Sequence, residues 1–350
     1  MLNNKCGEGV FYVRKRQSGQ YLSAFAQTVD RTALLKLLTD QKPVLNHCDR
    51  GGIAKFVSLA AILAVSLSSS LNAGSVGSTG GQFLKLGVGA RAVALGESFV
   101  AVADDASSVF WNPAGLARLT SKELSASHST YVQDVNYESI SYAHPLKKGA
   151  IGAGANYLYM GGIERRGKDE SLQGSFGASD FNFSLSYASP LIRNPKMATE
   201  SARRILGGVT IKMVRQQIDS FSANAVAMDL GLITPVRNTR FTFGIAVQNL
   251  GSDIKFQDQS YPLPRTFRMG LSWLAPKAPV MVTGGLSLPR DNSLSYQLGA
   301  EYWPVQSFAL RSGYTLRPSD DFAGYRGIGT KSENTLTALS GFVAGMGIKA

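Results

Sequence analysis

FNFSLSY, residues 181–187, places four bulky side chains and three small polar ones in strict alternation. Successive side chains of a strand point to opposite faces, so Phe181, Phe183, Leu185 and Tyr187 share one face and Asn182, Ser184 and Ser186 the other. The pattern recurs at 241–248, where Phe241, Phe243, Ile245 and Val247 oppose Thr242, Gly244, Ala246 and Gln248. It recurs at 294–302, where Leu294, Tyr296, Leu298, Ala300 and Tyr302 oppose Ser295, Gln297, Gly299 and Glu301. Further segments near 123–131, 135–146, 149–160, 204–218, 223–236, 265–275, 279–288, 307–316 and 338–349 bring the total to about twelve.

Alternation alone fits a soluble sandwich as well as a membrane barrel. Three features favour the barrel. The segments approach the roughly 9–11 residues of a tilted membrane strand. Tyr187, Tyr302 and Trp303 stand near segment ends, where a membrane interface holds aromatic rings. The face opposite the bulky residues is Gly, Ser, Ala, Thr and Gln, suited to a polar or tightly filled interior. Long connections at 161–177, 251–264 and 317–337 follow the third, seventh and eleventh segments, so an up-and-down order puts all three at one end. The short turns Lys147-Lys148-Gly149, Pro276-Lys277-Ala278 and Pro304-Val305-Gln306 fall at the other, and the stretch 191–203 departs from the rule. The expected fold is all-β, a transmembrane antiparallel β-barrel over 122–350.

Composition agrees. The 350 residues are 17% charged, below the roughly 25% of a typical soluble protein, and include 37 glycines. The formal net charge is +12, yet no basic run is interleaved with aromatics, which argues against a nucleic-acid partner and leaves a merely solvated surface or one facing outer-membrane lipid head groups. Cys6, Cys48, His47, His128 and His144 match no familiar metal-ligand spacing, and no cofactor is expected.

AKFVSLAAILAVSLSSSLNAG, residues 54–74, reads as an export signal: Lys55, an apolar run from Phe56 to Leu67, then small residues up to a cut after Ala73. Residues 53–73 are therefore expected to be the signal peptide. No methionine lies between Met1 and Met160, and 1–52 is read as a mis-annotated leader upstream of the true start.

Residues 81–117 are not strand-like, and 74–121 is expected to be an N-terminal plug or hatch segment. In DDASSVFWNPAGLA, 104–117, Asp104 or Asp105 is expected to cap a short helix over Ala106–Trp111, and Asn112-Pro113 to end it. Gly115 is expected to let the chain reverse. Such an element, with its companion 81–103, is expected to plug the barrel lumen. Gly87, Gly89 and Ala92 match a dinucleotide fingerprint, but no alternating strand–helix units follow, so the match is discounted.

LGVGARAVALGESFVAVADDASSVFWNPAGLA, 86–117, resembles the N-terminal motif of the PorV/PorQ family, within the FadL-like superfamily of long-chain fatty-acid transporter barrels. The resemblance implies a fourteen-stranded barrel with an N-terminal plug or hatch, in which Asn112-Pro113-Ala114 matches the family's NPA element. It also implies an outer-membrane protein of one of two kinds. One is a secretion-associated (type IX-like) accessory that binds a secretion channel or exported protein cargo. The other is a FadL-like transporter of a hydrophobic small molecule. Only about twelve strands are visible here, so the barrel is read as truncated at its C-terminus.

Within the plug motif the candidate functional residues are Arg91, Asp104, Asp105, Trp111, Asn112, Pro113, Ala114 and Gly115. A charge at Arg91 among Ala, Gly and Val needs a partner, as a gate latch or a static pair. Trp111 is either the wall of a passage or a plug anchor. Ser127 with His128, and Ser141 with His144, invite comparison with an outer-membrane phospholipase that uses a Ser–His pair. Neither has an evident orienting partner, and G-x-S-x-G and HExxH are absent, so no enzyme activity is expected. Charged loop positions Glu164, Arg165, Arg166, Lys168, Asp169, Glu170, Asp320, Asp321 and Arg326 either solvate their loops, as most such charges do, or dock a protein partner.

Overall fold

The computed structural model describes residues 77–131, 134–193, 204–236, 239–317 and 341–348. Positions 1–76, with the expected leader and the whole expected signal peptide, and 318–340, with Asp320, Asp321 and Arg326, lie outside the described residues.

The described residues open with a 3-10 turn, Gln82–Lys85, and a one-turn helix α1, Ala90–Ala94. A second short helix, α2, Ser108–Trp111, runs into a 3-10 turn over Pro113–Arg118. Then come β1 (Glu123–Thr130), β2 (Asn136–Leu146), β3 (Gly149–Arg166), β4 (Leu172–Arg193), β5 (Arg204–Ile218), β6 (Phe221–Pro235) and β7 (Phe241–Gly251). A small hairpin, β8 (Ile254–Phe256) and β9 (Gln259–Tyr261), precedes β10 (Thr266–Leu274), β11 (Val280–Pro289), β12 (Ser295–Val305), β13 (Phe308–Leu316) and β14 (Phe342–Ile348). Twelve strands form one antiparallel sheet in chain order, with β8–β9 as a separate pair. The twelve segments read from the sequence are the twelve strands of this sheet. Among the described residues no pairing joins β1 to β14.

The two faces of the sheet are inverted relative to a soluble protein. Leu185 is 56% exposed while its neighbour Ser184 is fully buried. Strand register carries the pattern sideways: Ala126, Ile140, Ala155, Phe183, Met213 and Val226 lie opposite one another across six strands, all facing out. Two positions further along the strands the outward row is His128, Glu138, Tyr157, Phe181, Arg215 and Asn224. An apolar outer belt that gives way to charge and tyrosine is how a wall facing hydrocarbon meets the interfacial zone.

One expectation is corrected. The connection 161–177 is not a loop, because β3 and β4 continue through it as a hairpin paired as far as Arg166 and Leu172. Glycines 161, 162 and 167 and the adjoining charges look loop-like in the sequence. Gly162, at φ +70°, instead lies within a break in register between Met160 and Ile163, and the ladder resumes beyond it.

The apolar core lies between the sheet and the residues before it. Leu95, Phe99, Val109 and Leu116 are fully buried. Each such side chain contributes about 1.5–3 kcal/mol relative to exposure, so most of the apolar stabilisation of the interior comes from this segment.

Candidate functional site

Residues 77–122 run inside the sheet from one end to the other. At the start, Gly80 N–H donates to Pro262 O in the β7–β10 connection and Thr79 Oγ1 donates to Asp291 in the β11–β12 turn. These connections share an end with the β3–β4 hairpin, hereafter the loop end. The segment leaves beside Glu123, paired with Ala143 next to the β2–β3 turn, at the opposite end.

Between the two ends it sweeps the inner wall in reverse strand order, through a series of glycines. A side chain on Gly345 of β14 would meet Ala94, on Gly313 of β13 Gly96, and on Gly299 of β12 Leu95. On Gly270 of β10 and Gly244 of β7 it would meet Val100 and Ala101. Past the bend, Gly231 of β6 faces Asn112, Gly208 of β5 faces Pro113 and Ala114, and Gly152 of β3 faces Val109 and Leu116. Contact between backbones is possible there only because the wall lacks Cβ atoms.

Arg91 is the electrostatic centre of the plug. Its Nε and Nη2 donate to the two carboxylate oxygens of Glu301 on β12, at 2.8 and 3.1 Å, a bidentate fork. Its Nη1 donates to Asp104, with Asp105 at 3.5 Å. Glu301 also accepts from Arg311 Nε of β13 at 2.7 Å and from Trp303 Nε1 at 3.0 Å. A single acid thus ties the plug to two strands, and Arg91 lies 5.5 Å from the Phe99 ring centroid.

The two acids read as alternative caps divide the work. Asp104 serves Arg91, and Asp105 Oδ1 accepts from Ser107 N at 2.9 Å and from Ser107 Oγ. The helix is shorter than expected, Ser108–Trp111 in place of Ala106–Trp111, because Ala106 and Ser107 form the turn that Asp105 stabilises.

Asn112 is extended, at φ −155°, and fully buried. Its Nδ2 lies within donating distance of Val100 O (2.8 Å), Leu232 O on β6 (3.2 Å) and Ile245 O on β7 (3.3 Å). Its Oδ1 accepts from Ala114 N, so one amide joins two parts of the plug to two strands. Pro113 opens the following 3-10 turn, where its missing N–H is no loss. Ala114 packs on Gly208, where no larger side chain fits. Contrary to the expectation that Gly115 lets the chain reverse, it lies inside the 3-10 turn, and a Cβ there would strike Ala103 and Ser108. Trp111 is an anchor: Nε1 donates to Val88 O at 2.8 Å, Phe99 meets it edge-on at 6.1 Å, and Arg268 of β10 lies 4.9 Å from its ring centroid.

Three groups escaped the sequence reading. At the loop end Asp291, its side chain wholly buried, accepts from Thr79 Oγ1 (2.7 Å), Gln82 Nε2 (2.7 Å) and Lys85 Nζ (3.0 Å), closing a second latch. Burial pushes its carboxyl up, but these donors outweigh it and hold the carboxyl below the usual carboxylate range. On the wall, Lys212 of β5 and Asp229 of β6 pair at 2.7 Å, and Lys212 also donates to Asn249. Arg268 is 3.7 Å from Glu97 of the plug. Lys212 and Asp229 had a signal, each being a charge between two exposed apolar residues.

Neither serine–histidine pair forms. His128 contacts Glu138 and Thr130 on the outer face, while Ser127 bonds Ser139 on the inner one. His144 contacts Tyr142 outside, and Ser141 is buried inside. Of the hairpin charges, Arg165 pairs with Asp219 and Arg166 with Glu164, both exposed.

No curated protein matches the chain. Among solved structures, the toluene transporter TodX of Pseudomonas putida is 11% identical, covers 65% of this chain and 83% of its own, and has a TM-score of 0.44. A TodX deletion variant described as a monoaromatic hydrocarbon channel is also 11% identical, covering 59% and 77% at a TM-score of 0.39. The family described as type IX secretion system protein PorV matches residues 70–274, and with more than half of its length so matched, the chain belongs to the PorV family.

Proposed function

We propose that this protein is an outer-membrane accessory of a type IX-like secretion apparatus, with its plug locked and a protein partner bound at the loop end. The observation that carries the reading is the close packing of the plug against the wall. The plug touches the wall through most of its strands and is latched to Asp291 and Glu301 at two levels. The void left between Leu84, Leu86, Val88, Phe110, Trp111 and the wall is only ≈ 20 Å³, too small for a hydrocarbon. A conduit would require both latches to break.

Bacterial barrels carry their larger connections outside the cell, so the loop end would face outward. The β3–β4 hairpin would then present Glu164, Arg165, Arg166, Lys168, Asp169 and Glu170 to a secretion channel or an exported protein. The test is gentle detergent extraction from the native outer membrane followed by mass spectrometry, on the natural chain and on one with 163–172 replaced by a two-residue turn. A near-stoichiometric protein partner that is lost from the shortened variant supports the accessory reading. Hydrophobic small molecules without a protein partner would replace it with the transporter reading.

A further inference from the structure

The small void beside the plug's first turn has an uneven lining. The plug side is apolar, with Leu84, Leu86, Val88 and Trp111; the wall contributes Asn156 of β3, Asn182 of β4 and Arg268 of β10 among its polar groups. Asn156 Oδ1, Asn182 Oδ1 and Arg268 Nε have no hydrogen-bond partner among the described residues. Their residues are only 4, 1 and 8% exposed. The other ends of both amides are engaged, Asn156 Nδ2 donating to Tyr137 Oη at 2.7 Å and Asn182 Nδ2 to Ser184 Oγ at 3.0 Å.

Asn156, Asn182 and Arg268 line this void of ≈ 20 Å³, and their two unpartnered acceptors and one unpartnered donor suit a ligand that donates twice and accepts once. We infer that this void is a binding site for one structural water molecule, which donates to Asn156 and Asn182 and accepts from Arg268. The volume suits a single water, which needs roughly 10–15 Å³ and two to four polar partners. Charge points the same way. Lys212, which also lines the void, is paired with Asp229, and Arg268 faces Glu97, so the ligand is neutral. Ser184 Oγ and Tyr137 Oη can also donate, so turning both amides would line the void with donors and fit a small anion instead.

The experiment is a crystal structure of the whole barrel from sodium bromide solution, at a resolution that shows ordered waters, with data at the bromine edge. The expected result is a single peak within hydrogen-bond reach of all three atoms, with no anomalous signal. A bromide peak there, or no density, would overturn the assignment. The same crystals of Asn182→Leu should lose the peak; a peak kept at the same position would show that Asn182 is not a ligand and would likewise overturn it.

Discussion

Replacing Glu301 by glutamine keeps the shape of the latch and removes its charge. Glu301 is the common acceptor for Arg91 and Arg311, with its side chain 4% exposed against 25% and 9% for the arginines. In Glu301→Gln the two guanidinium groups would face an amide, leaving Arg91 with Asp104 and Asp105 as counter-charges, themselves 34% and 28% exposed. Breaking a buried pair by removing one partner costs about 3–5 kcal/mol. Arg91 keeps some access to water, so the lower end, about 3 kcal/mol, is appropriate. At 1.4 kcal/mol per decade, that raises the population of undocked plug roughly 100-fold. The assay is thiol labelling of a cysteine placed at Ala106, which is 1% exposed when the plug is docked. With opening in rapid equilibrium, the labelling rate follows the open population. Arg91→Gln should act similarly, and the double variant should be little worse than either single one, because both remove one interaction. A labelling rate within about threefold of the parent in Glu301→Gln would refute the claim that this acid holds the plug.

Three further outcomes follow from the same geometry. Asn112→Leu leaves Ala114 N and Val100 O without the partner described and should lower stability by about 2–4 kcal/mol, read as a lower melting temperature of the barrel's circular dichroism signal. Gly208→Val drives a side chain into the Pro113–Ala114 backbone and should abolish folded barrel on gels that separate folded from heated forms, whereas Gly284→Val, with nothing nearer than 3.6 Å, should fold normally. Asp291 carries a depressed folded pKa, so its contribution is fully present above the unfolded carboxylate value of about 4 and is lost as pH falls through the lower folded value. Hydrogen exchange at Leu84 and Leu86, corrected for intrinsic rates, should therefore accelerate on acidification, and Asp291→Asn should be fast at every pH.

How much was legible depended on whether the signal was local. The strands were, since a period of two over FNFSLSY or FTFGIAVQ is a property of neighbours, and lipid on one side with plug on the other keeps the alternation strict. The helix before Asn112-Pro113 was legible too, but not its first turn. Asp104 and Asp105 look alike in sequence, and only the position of Arg91 in space assigns one to the ion pair and the other to Ser107. Glu301 was assigned to the inner face by its alternation with Leu298, Ala300 and Tyr302, yet nothing nearby identifies Arg91, some two hundred residues away, as its partner. The Asp291 latch had no signal at all, since an aspartate before Asn292-Ser293 reads as an ordinary turn. The β3–β4 hairpin was misjudged for the opposite reason: glycines and charges that suggest a loop are also compatible with a solvated strand pair.

The path of the plug also bears on how the protein can be made. A segment that spans the interior from end to end, with backbone against glycine at many of its contacts, fits the wall closely at successive levels. It is also the part of the described chain that is synthesised first. Residues 77–122 would then serve as a mandrel: β1 starts where they end, and each later strand would pair with the previous one while closing onto a surface already in place. The long-range pairings that slow the folding of large sheets become, for most strands, a choice among positions on that surface. The glycines are then as much a record of the assembly route as of the finished packing.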